Sequence, residues 1–146
     1  MLSLVDGNIR LRALEPEDIK ILSDWENNPE NWLYSQQQLP LSQHILRSYL
    51  ANAHQDIYEA KQLRLVIEAQ NKAVGLADLF DFDCNNRRAG VGILIGERIN
   101  RNKGLAKSAL KILISYAQKA FDLKQLHASV GANNTASLKL FESLGF

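Results

Sequence analysis

The residues whose types and spacing most clearly indicate ligand binding form one short run, 101–107, in which Gly104 lies among cationic side chains. An apolar strand pattern ending at Ile95 precedes this run, and apolar residues at helical spacing follow Ser108. A helix that begins near Gly104 presents backbone N–H groups that have no partner within the helix, together with a partial positive charge. Because glycine allows close approach to the backbone, the run is predicted to bind a phosphate or pyrophosphate group.

Two familiar phosphate-binding motifs do not fit this spacing. A P-loop needs a glycine before its Lys-Ser/Thr pair, whereas Ala106 precedes the Lys-Ser pair in this sequence. A dinucleotide fingerprint needs three glycines, and Ile95 occupies the position of the third. Neither a nucleotide P-loop nor a dinucleotide-binding turn is therefore predicted.

Three segments of the sequence resemble one family, the GCN5-related N-acetyltransferases (GNAT). Arg101, Gly104 and Ala106 match the order of its pyrophosphate loop, Arg/Gln-x-x-Gly-x-Gly/Ala. Residues 134–146 resemble its Asn-x-x-Ala/Ser-x-x-Leu-Tyr-Glu-x-x-Gly-Phe segment. Residues 10–18 resemble the branch that contains spermidine N-acetyltransferases and ribosomal-protein N-terminal acetyltransferases. These matches extend over almost the whole chain.

The resemblance implies an α+β fold of three layers (α/β/α), with helices on both faces of a mixed, mostly antiparallel sheet. Strands at Val91–Ile95 and Leu126–Val130 are expected to run parallel and to splay apart, leaving room for the cofactor's pantetheine arm. One domain is expected over residues 1–146. Because the family normally continues with two more strands after its Gly-Phe pair, this domain is expected to be incomplete at its C-terminal end. Truncation and completion by a partner chain both remain open.

Apolar periodicity predicts the elements that must position these residues. Strands are predicted at 9–14, 63–69, 73–83 and 88–96. Helices are expected to begin near Pro16, Ser42, Gly104 and Asn134. The irregular stretch 29–40 contains Trp32 and Tyr34, which either cover the core or contribute to binding.

The reaction that the resemblance implies transfers an acetyl group from acetyl-CoA to a primary amine by direct attack. A backbone N–H of the strand at Ile93–Ile95 would polarise the thioester carbonyl. The acceptor is expected to be a polyamine, another small amine or a protein N-terminus. The residues expected to bind the cofactor are Ile93, Leu94, Ile95, Arg101, Asn102, Lys103, Gly104, Leu105, Ala106, Lys107, Asn134, Ser137 and Phe141.

An acidic strand supplies candidates for the general base that removes the ammonium proton. Asp78 lies mid-strand between apolar neighbours and is the predicted catalytic residue. Asp81 would lie on the opposite face of the strand unless a bulge intervenes, and both carboxylates are predicted to contact the amine substrate. The alternative is that Asp78 is paired with Arg87, Arg88 or a backbone donor.

Phe141 departs from the family pattern, in which this position is commonly a tyrosine that protonates the leaving thiolate. Phenylalanine has no proton to give, so the thiolate would leave unassisted or take a proton from water or another hydroxyl. Asn134 contacts the cofactor, caps the last helix, or does both. An alternative function is therefore a CoA-binding module with little or no catalysis, and a pure interaction domain would bind no CoA.

Composition narrows the setting of this chemistry. Of the 146 residues, 17 are Lys or Arg and 16 are Asp or Glu, a balance that argues against general binding to nucleic acid or acidic membranes. The lone cysteine, Cys84, fits a reducing cytoplasm, and no leader or membrane-spanning run is recognised. His44 and His54 lack a third ligand at metal-binding spacing, so no metal is expected. Assembly into a homo-oligomer remains open.

Overall fold

Six strands form one sheet in the part of the chain that the structure, a computed structural model, describes: residues 4–29, 40–52, 56–97, 100–101, 103–132 and 134–146. The strands lie side by side in chain order and are β1 (Val5–Asp6), β2 (Ile9–Ala13), β3 (Leu63–Ala69), β4 (Lys72–Asp83), β5 (Arg88–Ile95) and β6 (Gln125–His127). Neighbouring strands are antiparallel except β5 and β6, which run parallel. This is the mixed, mostly antiparallel sheet that the sequence predicts.

Helices connect these strands. A short 3₁₀ helix (Pro16–Asp18) is followed by α1 (Ile19–Glu26), α2 (Gln43–Asn52), α3 (Ile57–Ala60), α4 (Leu105–Phe121) and α5 (Thr135–Ser143). The 3₁₀ helix begins where proline and acidic residues predict, and the Asp18 carboxylate accepts the Glu15 N–H at 2.8 Å. Trp32, Tyr34 and His54 lie outside the described residues. Within the described residues, no helix has the length and apolar character to cross a membrane.

The helices pack on both faces of the sheet because apolar side chains alternate between the faces along each central strand. Leu22 and Trp25 of α1 and Leu46 of α2 pack with Val66 and Leu76, which defines the α1/α2 face. On the opposite face, buried residues of α4 and α5 join a larger core. This core includes Leu110, Leu113, Phe141, Ile67, Leu79 and Val91. The three-layer arrangement is the predicted one.

Strands β5 and β6 pair over three residues and then separate. Their ladder runs from Arg88↔Gln125 to Gly90↔His127, while β5 continues to Ile95. The predicted strand at Leu126–Val130 is thus wrong beyond His127, because the separation removes the hydrogen-bonding partner that residues 128–130 would need. We call the space between Val91–Ile95 and residues 128–130 the gap.

Aromatic rings lie directly over two glycines, Gly90 in β5 and Gly96 just after its end, and leave no room for a side chain at either position. A Cβ at Gly90 would lie 2.3 Å from the Phe80 ring, which also contacts His127 edge to face. A Cβ at Gly96 would lie 2.1 Å from the Trp25 ring. The Phe80 ring therefore occupies the space that a side chain at position 90 would need.

Candidate active site

The backbone of β5 has a fixed orientation towards the gap. Gly96 donates its N–H to the Val74 carbonyl at 2.9 Å, so even-numbered residues of β5 direct their backbone groups towards β4. Backbone groups alternate sides along an antiparallel strand, so Val91, Ile93 and Ile95 direct theirs to the gap. Among the predicted donors of this strand, Ile93 and Ile95 therefore face the gap.

Leu94, a predicted cofactor contact, is oriented differently. It lies opposite Leu76 of β4, and its side chain packs against the core of the α1/α2 face. Its backbone N–H and C=O are directed to β4 by the same alternation. Any contact from Leu94 to a ligand in the gap would have to come from its side chain.

The N-terminus of α4 is open. Gly104 is the N-cap residue with φ of +75°, a conformation that side-chain-bearing residues rarely adopt. Among the described residues other than its chain neighbours, no atom lies within 4 Å of the position of a Cβ at Gly104. Lys103 is exposed, Arg101 is half-buried, and the first turn that Leu105, Ala106 and Lys107 form is also half-buried. Asn102, another predicted contact, lies outside the described residues. The described part of this loop thus has the room and the positive charge that a pyrophosphate requires.

The start of α5 carries the second group of predicted cofactor contacts. The Asn134 side chain accepts the Ser137 N–H at 3.1 Å, which makes Asn134 the N-cap of this helix. Phe141 is buried, with 7% of its surface exposed, and its ring meets the Phe146 ring edge to face at 5.1 Å. Phe141 therefore has a packing role in the core, while its predicted contact with the cofactor stays a prediction.

Asp78 lies on the α1/α2 face directly opposite Gly92 of β5. A Cβ at Gly92 would lie 3.5 Å from Asp78 Oδ2, an ordinary contact distance. Val91 and Ile93, on either side of Gly92, direct their backbone groups to the gap. The carboxylate is therefore one residue away from backbone that borders the gap, and no side chain at position 92 separates them.

Arg64 of β3 is the ion-pair partner of Asp78. Its Nε lies 2.9 Å from Oδ1 and its Nη2 lies 3.1 Å from Oδ2, so the guanidinium binds both carboxylate oxygens. Its Nη1 donates to Glu26 Oε1 at 2.9 Å, and its Cζ lies 5.6 Å from the centre of the Tyr49 ring. We call Arg64, Asp78, Glu26 and Tyr49 the Arg64 cluster.

Burial and charge act in opposite directions on the groups of this cluster. Burial works to lower the pKa of Arg64, but the charges of Asp78 and Glu26 and the hydrogen bonds from Arg64 to Asp78 outweigh it, and the pKa is raised. Burial is the main cause that raises the pKa of Tyr49. Arg64 is therefore a permanent cation of the site.

The alternative interpretation, in which Asp78 is paired with Arg87 or Arg88, is wrong about these two partners, because Arg64 takes their place. Arg87 pairs with Asp122 at 3.4 Å, and Arg88 lies 3.7 Å from Asp83 at the turn after β4. Arg64, Glu26 and Tyr49 were not predicted to be members of the site. A signal existed for Arg64, because a cation between apolar residues of a central strand requires a partner.

Asp81 lies at a bulge, the exception that sequence analysis allowed for. The β4–β5 register shifts between Phe80 and Asp83, and Asp81 has φ of +48°. The bulge leaves Asp81 exposed and turns Phe82 into the core. Three residues along β4 separate Asp81 from Asp78, roughly 10 Å, so the two carboxylates do not converge on one point.

Comparison with known proteins identifies the family. The profile described as "Acetyltransferase (GNAT) domain" matches residues 8–146. The chain belongs to the GNAT acetyltransferase family. It is 28% identical over 139 residues to a spermidine N(1)-acetyltransferase of Escherichia coli K12, covering 95% of this chain and 73% of that relative.

Solved structures have the same fold. The Vibrio cholerae spermidine N-acetyltransferase in complex with CoA and spermine superposes with a TM-score of 0.86 at 24% identity, covering 96% of this chain and 81% of that one. RimL, a ribosomal-protein α-N-acetyltransferase in complex with coenzyme A, has a TM-score of 0.83 at 19% identity, with 97% and 81% covered. The predicted family, fold and reaction class are confirmed: this GNAT chain is an N-acetyltransferase that uses acetyl-CoA as its acetyl donor.

Within the described residues, no group of three or more His, Cys, Asp or Glu side chains is arranged to hold a metal ion.

Proposed function

We propose that this GNAT chain acetylates a primary amine of a polyamine, with Asp78 as the general base. The observation that carries the proposal is the position of Asp78 opposite Gly92, beside the backbone of Val91 and Ile93 at the gap. A base must lie within hydrogen-bond reach of the proton that it accepts. An amine entering over Gly92 would meet both the carboxylate and the edge of β5.

The described residues suit the donor. Acetyl-CoA supplies an acetyl group activated as a thioester. The open first turn of α4, with Gly104 at its start and Lys103 and Lys107 beside it, would hold the pyrophosphate. The N–H of Ile93 or Ile95 would donate to the thioester oxygen as negative charge develops there.

The transfer requires that the ammonium lose its protons and that the thiolate leave. Asp78 accepts a proton from the ammonium, directly or through one water, so that the neutral amine attacks the carbonyl carbon. The C–S bond then breaks and the thiolate leaves, while the second proton of the attacking nitrogen passes to the thiolate or to water. Since a thiol has a pKa of about 8.5, this departure needs little help, which suits a site in which Phe141 replaces a hydroxyl-bearing residue.

A polyamine is favoured as the acceptor by two observations. The relative from Escherichia coli is named for spermidine, and two carboxylates, Asp78 and Glu26, lie together on the α1/α2 face. A second acceptor class, a protein N-terminus, is favoured only by the likeness of fold to RimL. Thiol release from acetyl-CoA, measured with spermidine, spermine, a monoamine and a peptide, separates these classes.

The expected result of this assay is turnover with spermidine or spermine at least about tenfold faster, in kcat/KM, than with the peptide. Preference for the peptide would overturn the polyamine proposal and support the N-terminal acceptor. Tight CoA binding without turnover on any amine would instead support the alternative of a CoA-binding module.

The α4 site is tested by Gly104→Glu, which places bulk and negative charge at the proposed pyrophosphate position. CoA affinity measured by calorimetry is expected to fall by at least about 100-fold, since attraction at the helix start becomes repulsion. Gly7→Glu is the matched control, because Gly7 also has positive φ and, among the described residues beyond its chain neighbours, no atom within 4 Å of the position of a Cβ. Equal CoA affinity in the two variants would contradict the pyrophosphate site.

Two further parts of the proposal concern setting and assembly. We place the reaction in the cytoplasm, supported by the exposed free thiol of Cys84, which suits a reducing compartment. The homo-oligomer stays a prediction, and light scattering of the purified protein tests it.

A further inference from the structure

We infer that Arg64 is the positioning residue of the acetyl transfer: it holds the Asp78 carboxylate over Gly92 in the orientation that receives the proton. The inference rests on the proposed function, in which Asp78 is the base. It assigns to Arg64 an effect on the reaction that goes beyond stabilising the fold.

The ion pair between Arg64 and Asp78 is bidentate. Nε and Nη2 of Arg64 bind separate oxygens of Asp78, at 2.9 and 3.1 Å. Two parallel hydrogen bonds from a planar guanidinium fix the rotation of the carboxylate as well as its distance, which a single ammonium would not do. The orientation of Asp78 is therefore set by Arg64 and not by its own rotamer alone.

Arg64 is itself held by residues of two helices. Glu26 of α1 binds its remaining terminal nitrogen at 2.9 Å, and Tyr49 of α2 lies against its guanidinium. Only 22% of the Arg64 side chain is exposed. Because β3, α1 and α2 together fix the guanidinium, it is a rigid support for the carboxylate on β4.

The Asp78 carboxylate keeps acceptor positions that Arg64 does not use. A carboxylate has about four lone-pair positions, and Arg64 occupies one on each oxygen. Oδ2 lies 3.5 Å from the position of a Cβ at Gly92, so the absence of a side chain there leaves this oxygen accessible from β5. The carboxylate can thus be held by Arg64 and still accept a proton on its other side.

A double-mutant cycle tests the inference. The variants are Arg64→Met, Asp78→Asn and both together, with Arg64→Lys as a conservative variant. Arg12→Met is the matched control, because Arg12 also binds two carboxylates on the same face of the sheet, at 25% exposure. Steady-state kcat and both KM values are measured, with the melting temperature and CoA affinity of each protein.

A positioning role predicts a specific pattern. Arg64→Met should lower kcat by about 100-fold and Arg64→Lys by about tenfold, with CoA affinity within about twofold of the unmodified protein, since a displacement of about 1 Å is enough for such losses. In the Asp78→Asn background, Arg64→Met should change kcat by less than about twofold. Arg12→Met should lower the melting temperature and leave the kcat of the folded protein unchanged within about twofold.

Two results would overturn the inference. One is an Arg64→Met loss of the same size with and without Asp78, which would mean that Arg64 does not act through that carboxylate. The other is a kcat of folded Arg64→Lys equal to that of the unmodified protein, a comparison that remains valid if Arg64→Met does not fold. By contrast, full activity of Asp78→Asn would overturn the base of the proposed function itself, so the two failures are distinguishable.

Discussion

Two arginine–carboxylate clusters lie on the same face of the sheet, on the adjacent strands β2 and β3, and they differ in what surrounds them. Arg12 binds Asp18 through two nitrogens, each at 2.9 Å, and Glu68 through Nε at 2.9 Å. Glu68 also accepts hydrogen bonds from Arg10. We call these four residues the Arg12 cluster, in which two guanidinium groups face two carboxylates.

In the Arg64 cluster, a single guanidinium is shared by Asp78 and Glu26, and Asp78 lies next to the gap. The Arg12 cluster instead joins Asp18, the last residue of the 3₁₀ helix, to β2 and β3, and neither of these strands is adjacent to β5. The same bidentate geometry therefore serves the fold in one place and, as we propose, the reaction in the other. Position relative to β5, and not the ion pair itself, makes the difference.

The largest difference between the clusters is expected from removal of one charge in each. Asp78→Asn should lower kcat by about 100-fold or more, because it removes the proton acceptor. Asp18→Asn should leave the kcat of the folded protein within about twofold, but it should lower the melting temperature, since Arg12 loses a charged partner. Thiol release and calorimetry on both variants measure the difference. Equal kcat losses would break the comparison.

A smaller effect on kcat/KM is expected from filling the space beside Asp78 that Gly92 leaves open. Gly92→Ala adds a methyl group at ordinary contact distance, 3.5 Å from Oδ2, so the melting temperature should change little. The methyl group would stand between the carboxylate and β5, and kcat/KM for the amine should fall by about five- to tenfold. Gly90→Ala, whose Cβ would meet the Phe80 ring at 2.3 Å, should show the reverse pattern, a lower melting temperature. A normal kcat/KM for Gly92→Ala would contradict the entry of the amine over Gly92.

The smallest expected effect is a loss of the stability that the Arg12 cluster contributes as the pH is lowered. Burial works to raise the pKa of Asp18, but its hydrogen bonds from Arg12 and the Glu15 N–H outweigh it and the pKa is lowered. The hydrogen bond from Arg12 is the main cause that lowers the pKa of Glu68. Because the pKa values of Asp18 and Glu68 are lower in the folded protein than in the unfolded chain, their ionised forms stabilise the fold at a pH above the unfolded-state pKa values. This stabilisation is lost as the pH falls below about 4.

This sign gives a measurable consequence for Arg12→Met. Its melting temperature should be a few degrees below that of the unmodified protein at pH 7, and the difference should shrink at pH 3 as the carboxylates become protonated in both. Calorimetry at the two pH values checks the result. A difference that grows in acid would show that the Arg12 cluster does not act through these carboxylates.

Local signals predicted the parts of the site that depend on neighbours in sequence. Gly104 was predicted at the start of α4, and Asn134 as a cap of α5, because helix ends have residue preferences that a short window reveals. The strand from Arg88 was predicted by alternation and its parallel partner by the resemblance. These features need no knowledge of which strand lies beside which.

The Arg64 cluster needed that knowledge. Arg64 meets Asp78 only through the β3–β4 register, in which Arg64 is paired with Asp78, and a register shift of one residue would turn one of the two to the other face. Glu26 comes from 38 residues away in the chain. The contact of Gly90 also depends on strand order, since the Phe80 ring that covers it belongs to the neighbouring strand β4.

The packing of Trp25 on Gly96 limits how this enzyme can be redesigned. The next residue of the same helix, Glu26, binds Arg64. Two consecutive residues of α1, Trp25 and Glu26, therefore contact the end of β5 and the arginine that holds Asp78. Tilting α1 to admit a bulkier acceptor would press the indole into the β5 backbone and shift the donor strand at the same time. Engineering of acceptor size should therefore leave α1 in place and begin with the neighbouring helix α2, which contributes only Tyr49 to the cluster.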